Sequence, residues 1–114
     1  MIDTKLTLFD GRVGEDTAQV WLEPAGPGIT LRTQEWGPGV ERNFGWDTIE
    51  TWLCIEGPAL YTLAFALVAD HPELDPTASP MEILAAAYRG DSAASAHLRM
   101  RLDELGLAHE FTMR

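Results

Sequence analysis

Positive charge is what this chain has least of. One lysine and seven arginines stand against eighteen aspartates and glutamates, a formal net charge of −10. Binding to nucleic acid or to an anionic membrane needs cations to displace counterions from phosphates, so neither is expected. The single cysteine, Cys54, excludes an internal disulfide framework and fits a reducing compartment. No apolar run approaches the roughly 18 residues of a membrane span. The longest, ALYTLAFALVA, ends after 11 residues and is interrupted by Thr62. The opening MIDTKLTLFDG has no basic region followed by an apolar core, which argues against a secretory signal. A soluble cytoplasmic protein is the expectation.

Catalytic signatures are missing too. There is no GxSxG elbow, no HExxH, and no phosphate-binding loop. The glycine-rich GPGVERNFG fits neither GxxxxGK[ST] nor GxGxxG, and its proline removes an amide that a phosphate cradle would use; it reads as a turn-rich loop. His71, His97 and His109 are widely spaced and none neighbours a cysteine pair, so structural roles are expected for all three. Cys54 falls inside a strand pattern and reads as a buried, inert thiol. The carboxylates of DHPELD lack EF-hand spacing and read as a solvated linker. Neither metal nor cofactor is expected.

What is present is enough for one folded domain over residues 1–114, with 46% hydrophobic residues. The acidic excess is body-wide: ten acids and four bases over residues 1–56, eight and four over 57–114. Abundant alanine and the preference for arginine over lysine fit a GC-rich bacterial genome.

The first half alternates with period two. KLTLF, AQVWLE and ITLRT read as half-buried strands separated by turns at DGRVGED and PAGPG, and TWLCIE at 51–56 reads as a fourth after a loop from Gly37 to about Asp47. The second half changes to helical spacing. Gly57-Pro58 starts a helix that His71-Pro72 stops. Ser79 and Glu82 form a capping box for a second helix, ending near Gly90. Asp91 or Ser92 caps a third, carrying Leu98, Leu102 and Leu105. LAHEFTMR alternates again and could close the sheet.

The expected fold is therefore α+β: an antiparallel meander of four strands, with a possible fifth from the C-terminus, and about three helices packed on one face. Leu6, Leu8, Leu22, Ile29, Leu31, Leu53 and Ile55 would face the helices. The other face would receive Phe9, Trp21, Arg32, Gln34, Trp52 and Cys54, an odd mixture for a surface whose neighbour is water.

Three of the four tryptophans lie within TQEWGPGVERNFGWDTIETW, residues 33–52. Trp21 and Trp52 fall on strands, where core and surface placements are equally open. Trp36 and Trp46 sit among Gly, Pro, Glu and Asp, where partial exposure is expected. Aromatic anchors bordered by carboxylates suit a cationic protein partner, the rings supplying buried area and the acids steering. The expected partner-binding set is Glu35, Trp36, Glu41, Trp46, Asp47, Glu50, Trp52 and Glu56. A carboxylate pair such as Glu35 with Glu50 remains open.

The run from Gln34 to Glu41, then Phe44-Gly45-Trp46 and Glu50-Thr51-Trp52, resembles small actinobacterial proteins with a Q-[DE]-x-G-P-x-V-E, F-G, x-E-x-W pattern. Ile49 stands where that pattern often has an aromatic. Some of those proteins look like immunity proteins of polymorphic-toxin or contact-dependent growth inhibition systems. The similarity covers roughly residues 18–68, with a looser echo from Leu107 to Phe111, and transfers no functional residue. It implies a non-enzymatic inhibitor that binds a cognate toxin protein and occludes its functional surface; the acidic charge of the chain points to basic character in that toxin. The alternative is a self-associating structural or regulatory domain without catalytic activity, a homodimer joined through the sheet face or a free edge strand. A third reading is an enzyme or small-ligand binder with a pocket between helices and sheet.

Overall fold

A strand with apolar residues at every second position buries one face and leaves the other to be covered by different means. The computed structural model, which describes residues 5–114, shows how this chain does both. Met1–Thr4, the start of the stretch read for a secretory signal, lie outside the described residues. Five strands, β1 (Leu6–Val13), β2 (Asp16–Ala25), β3 (Gly28–Trp36), β4 (Thr48–Ile55) and β5 (Glu110–Met113), form one sheet in the order β1-β2-β3-β4-β5. Every neighbouring pair is antiparallel. The C-terminal segment does return as a closing strand, beside β4.

Two hairpins set the register. Gly14 (φ 63°) and Gly26 (φ 59°) each open a two-residue loop with positive φ at the first position only, the arrangement of a type II′ turn. The first turn is tighter than the 10–16 stretch expected, because β1 pairs as far as Val13. From these turns a single row follows across all five strands: Leu6, Leu22, Leu31, Leu53 and Phe111. Beside it Ile29 pairs with Ile55. These rows face the helices, and Leu22, Leu31 and Leu53 are fully buried.

Phe9 departs from the expected alternation. A β-bulge between Thr7 and Phe9 puts Phe9 opposite Val20, whose side chain is in the core, so Phe9 joins the helix side rather than the outer face. Leu8 remains inside, as expected.

Helix α2 (Gly57–Asp70) buries Leu60, Leu63, Ala64 and Leu67. Helix α3 (Pro80–Ala87) carries the anticipated capping box: Ser79 Oγ accepts the Glu82 amide, and Glu82 Oε1 accepts the Ser79 amide, both at 3.2 Å. The N-cap of α4 (Ala94–Glu104) is Ala93, not Asp91 or Ser92. Asp91 instead accepts the Ala93 amide at 2.9 Å, steadying the approach to the helix. Leu98 and Leu102 complete the core.

The glycine-rich segment expected to be a loop contains a helix, α1 (Pro38–Phe44). Local propensity alone would not form it; two tertiary contacts do. Asp16 Oδ1, from β2, accepts the Gly39 amide at 2.8 Å and so satisfies an open donor of the first turn. Val40 is buried where the helix lies against β2, β3 and β4. Gly37 (φ 139°) and Gly39 let the backbone approach the Asp16 carboxylate; a Cβ at either would collide with it.

Gly28 starts β3 against the β4 backbone, and a Cβ there would strike the Ile55 carbonyl. Gly28→Ala is therefore expected to lower unfolding free energy by about 2–4 kcal/mol in urea titration. An unchanged midpoint would show that the strands separate at no cost.

Candidate functional site

Strand alternation assigns the tryptophans before any side chain is considered. Positions 17, 19, 21 and 23 of β2 share the outer face with 30, 32, 34 and 36 of β3 and 48, 50, 52 and 54 of β4. Trp21, Arg32, Trp52 and Thr112 therefore form one cross-strand row on the side away from the helices. The Lys5 ammonium lies 4.4 Å from the Trp21 ring centroid. The Arg32 guanidinium lies 5.2 Å from Trp21 and 5.2 Å from Trp52, and Arg114 lies 5.7 Å from Trp52. Cation and ring alternate across the sheet.

This row settles where the strand tryptophans sit. Trp21 is only 8% exposed although no helix covers it, because flattened cationic side chains do. Its indole N–H donates to Glu23 Oε1 at 2.7 Å, and Glu23 also pairs with Arg32 at 3.5 Å. Trp52 is half-buried in the same carpet. Each ring–cation contact contributes about 0.5–1 kcal/mol at such sites. Cys54, farther along β4 on the same face, is half-buried rather than buried, with Sγ 3.6 Å from Thr30 Oγ1.

The other two tryptophans and Phe44 lie at one end of the sheet. Trp36 ends β3, α1 crosses to the helix side, and the αL turn at Gly45 returns the chain to β4. Trp46, 54% exposed, borders an open depression of about 350 Å³ with Gln34, Thr48, Glu50 and Arg114. A neighbouring depression of about 410 Å³ shares Thr48 and is lined by Trp36, Pro38, Glu41 and Asp47. Phe44, 49% exposed, leaves the end of α1 two residues before Trp46. Its exposure was not visible in the sequence, since a lone aromatic in a glycine-rich stretch carries no period to place it.

Of the eight residues expected to bind a partner, Trp36, Glu41, Trp46, Asp47 and Glu50 line this corner. Trp52 lies two residues along β4, its ring flanked by Arg32 and Arg114. Glu56 is at the far end of β4, about 26 Å from Thr48 at strand rise, beside a separate cavity with Cys54, His109 and Glu110. Glu35 points to the helix side, its register partners being the buried Ala18 and Ile49. Glu35 and Glu50 consequently occupy opposite faces and form no carboxylate pair.

Charge in the corner is unevenly compensated. Glu50 lies 3.9 Å from Arg114, and Arg42 on α1 pairs with Glu15. Among the described residues no ion pair within 4 Å involves Glu41 or Asp47, both exposed. Beneath the corner, burial and then the nearby Asp16 carboxylate push the Glu35 pKa above its ordinary value.

The histidines are locally engaged. His97 Nδ1 is 2.6 Å from Asp91 Oδ2, His71 is 3.5 Å from Glu73, and His109 contacts the Leu107 carbonyl and Asp103. Among the described residues no group of three or more His, Cys, Asp or Glu side chains is placed to hold a metal ion. None of their helices is long and apolar enough to cross a membrane. No protein-family model, curated protein or solved structure matches the chain. The geometry defines an α+β domain with one helix layer, a self-stacked outer face and an aromatic, acidic corner.

Two outcomes follow from these contacts. Arg32→Ala removes two ring contacts and an ion pair, so a loss of about 1–2 kcal/mol and a red-shifted tryptophan emission are expected. Unchanged emission would show that the rings are covered without Arg32. Because the folded pKa of Glu35 is raised, its ionisation opposes folding. The stability present below the ordinary glutamate range is lost as pH rises through the raised value. Glu35→Gln should then raise the melting temperature at pH 7 and give no gain near about pH 4; equal gains at both would refute the linkage.

Proposed function

We propose that this protein is an immunity-type inhibitor that acts in the bacterial cytoplasm, binding a cognate toxin domain through the 36–50 corner and occluding its functional surface. One observation carries the reading. Trp46 is more than half exposed beside a depression that it lines with Glu50, next to a second depression lined by Glu41 and Asp47. An indole on the short turn between α1 and β4 can anchor an interface with little loss of conformational freedom. The surrounding acids favour a basic toxin surface, and a chain of net charge −10 accelerates encounter with one.

The proposed contact set is drawn from Trp36, Glu41, Trp46, Asp47 and Glu50, which line two depressions that meet at Thr48. Trp52, two residues along β4 from Glu50, already has Arg32 and Arg114 against its ring. A partner's arginine would find Trp46, not Trp21 or Trp52, open to stacking. The resemblance of the Gln34–Trp52 stretch to immunity proteins points the same way.

The test is protection and binding. Cells producing the toxin domain encoded beside this chain should survive when the chain is co-expressed, and the purified pair should form a one-to-one complex. Trp46→Ala should weaken that complex about 10- to 100-fold with the melting temperature unchanged. Replacing Glu41 and Asp47 by lysine should slow association about tenfold at low salt and much less at high salt. No protection, together with no binding at low salt, would end the proposal.

A further inference from the structure

Glu35 is a half-buried carboxylate that the proposed docking surface does not use. Strand register turns it to the helix side, opposite Ala18 and Ile49, both buried. Among the described residues its side chain makes no hydrogen bond and no ion pair. Asp16 stands two residues before Ala18 on the same face of the sheet, which makes it a diagonal neighbour of Glu35.

The Asp16 carboxylate has a second engagement. Its Oδ1 accepts the Gly39 amide at 2.8 Å, and a Cβ at Gly37 or Gly39 would collide with its oxygens, so it is pressed into the first turn of α1. That helix is otherwise lightly held. Of its seven residues only Gly39 and Val40 are buried, its N-cap Gly37 has no side chain to cap with, and Arg42 reaches Glu15 at the surface. Two glycines of positive φ, Gly37 and Gly45, bracket it.

We infer that Glu35 is a proton-controlled release for α1. Neutral, it leaves the helix latched to Asp16 and the Trp46 turn held. Ionised, it drives the helix off the latch and frees that turn. Linkage gives the direction. With α1 in place, burial and then the Asp16 charge raise the Glu35 pKa. With α1 lifted, the carboxylate regains water and Asp16 can swing aside, so the pKa returns toward its ordinary value. The closed form therefore holds the proton more tightly. Its advantage is complete below the ordinary glutamate range and is lost as pH rises through the raised value. Each pKa unit between the two forms is tenfold in the opening equilibrium. The other groups around Glu35 leave this balance to Asp16. Ile49 on β4 is apolar, Glu41 and Arg42 on α1 are exposed, and Arg42 is turned to Glu15. On the toxin-binding reading, from which the release takes its consequence, it sets how firmly Trp46 is held when a partner arrives.

Amide hydrogen exchange of the free full chain, followed by NMR and corrected for intrinsic rates, tests this without any toxin. The reporters are Gly39, Glu41 and Gly45, whose amides donate to Asp16 Oδ1, the Gly37 carbonyl and the Glu41 carbonyl. Their protection should fall about three- to tenfold between about pH 4.5 and about pH 7.5. At both values it should stay below that of the Leu22 and Leu31 amides, since α1 opens without the sheet. In Glu35→Gln the three reporters should keep their acid-side protection throughout. Asp16→Asn, which retains an oxygen for the Gly39 amide without the charge, should lessen the fall. Protection flat with pH, a fall equally large in Glu35→Gln, or reporters that exchange only when the whole sheet opens would each overturn the inference. A toxin that fails to bind while this pH profile holds counts against the docking reading alone; a bound toxin with a flat profile counts against the release alone.

Discussion

One layer of helices covers only one face of a five-stranded sheet, and the rest of this molecule is arranged around that limit. The leucine row from Leu6 to Phe111 commits one face to the helices. The opposite face, carrying Trp21 and Trp52, must be shielded without a second layer. Lys5, Arg32 and Arg114 do this by laying their charged groups over the rings. Three of only eight cations are used this way. The scarcity of positive charge elsewhere on the surface is sharpened by that assignment.

A second consequence appears at the sheet end. The chain must pass from outer-face Trp36 to the helix side and return to β4, and the Asp16–Gly39 hydrogen bond fixes that crossing. Because α1 is pinned to β2, the returning Gly45–Asp47 turn is held rather than draped, and Trp46 is presented over the depression beside Glu50 and Arg114. The price of the arrangement is a half-buried Glu35 close to Asp16, two carboxylates that resist being charged together. A docking residue on a fixed turn loses less freedom on binding than one on a loose loop.

These features divide the surface by chemistry. The 36–50 corner is aromatic and acidic. The outer side of α2 is uncharged and carries the exposed Tyr61 and Phe65.

The meander, the helix boundaries at Gly57-Pro58 and Ser79-Pro80, and the leucines of the core were legible because each rests on local spacing or on a residue's own backbone preference. The fold class followed from the same signals, and five of the eight residues expected to bind a partner lie together at one corner. What was not legible depends on contacts distant in sequence. The α1 helix needs Asp16 from another strand, Phe9 turns inward only because a bulge shifts the register, and Glu35 separates from Glu50 by strand alternation that a proline–glycine segment obscured. The sequence alone determined which residues are apolar and at what period. Only the tertiary structure decided which indoles remain open, because the cations that cover Trp21 and Trp52 arrive from strands that pairing, not chain order, brings together.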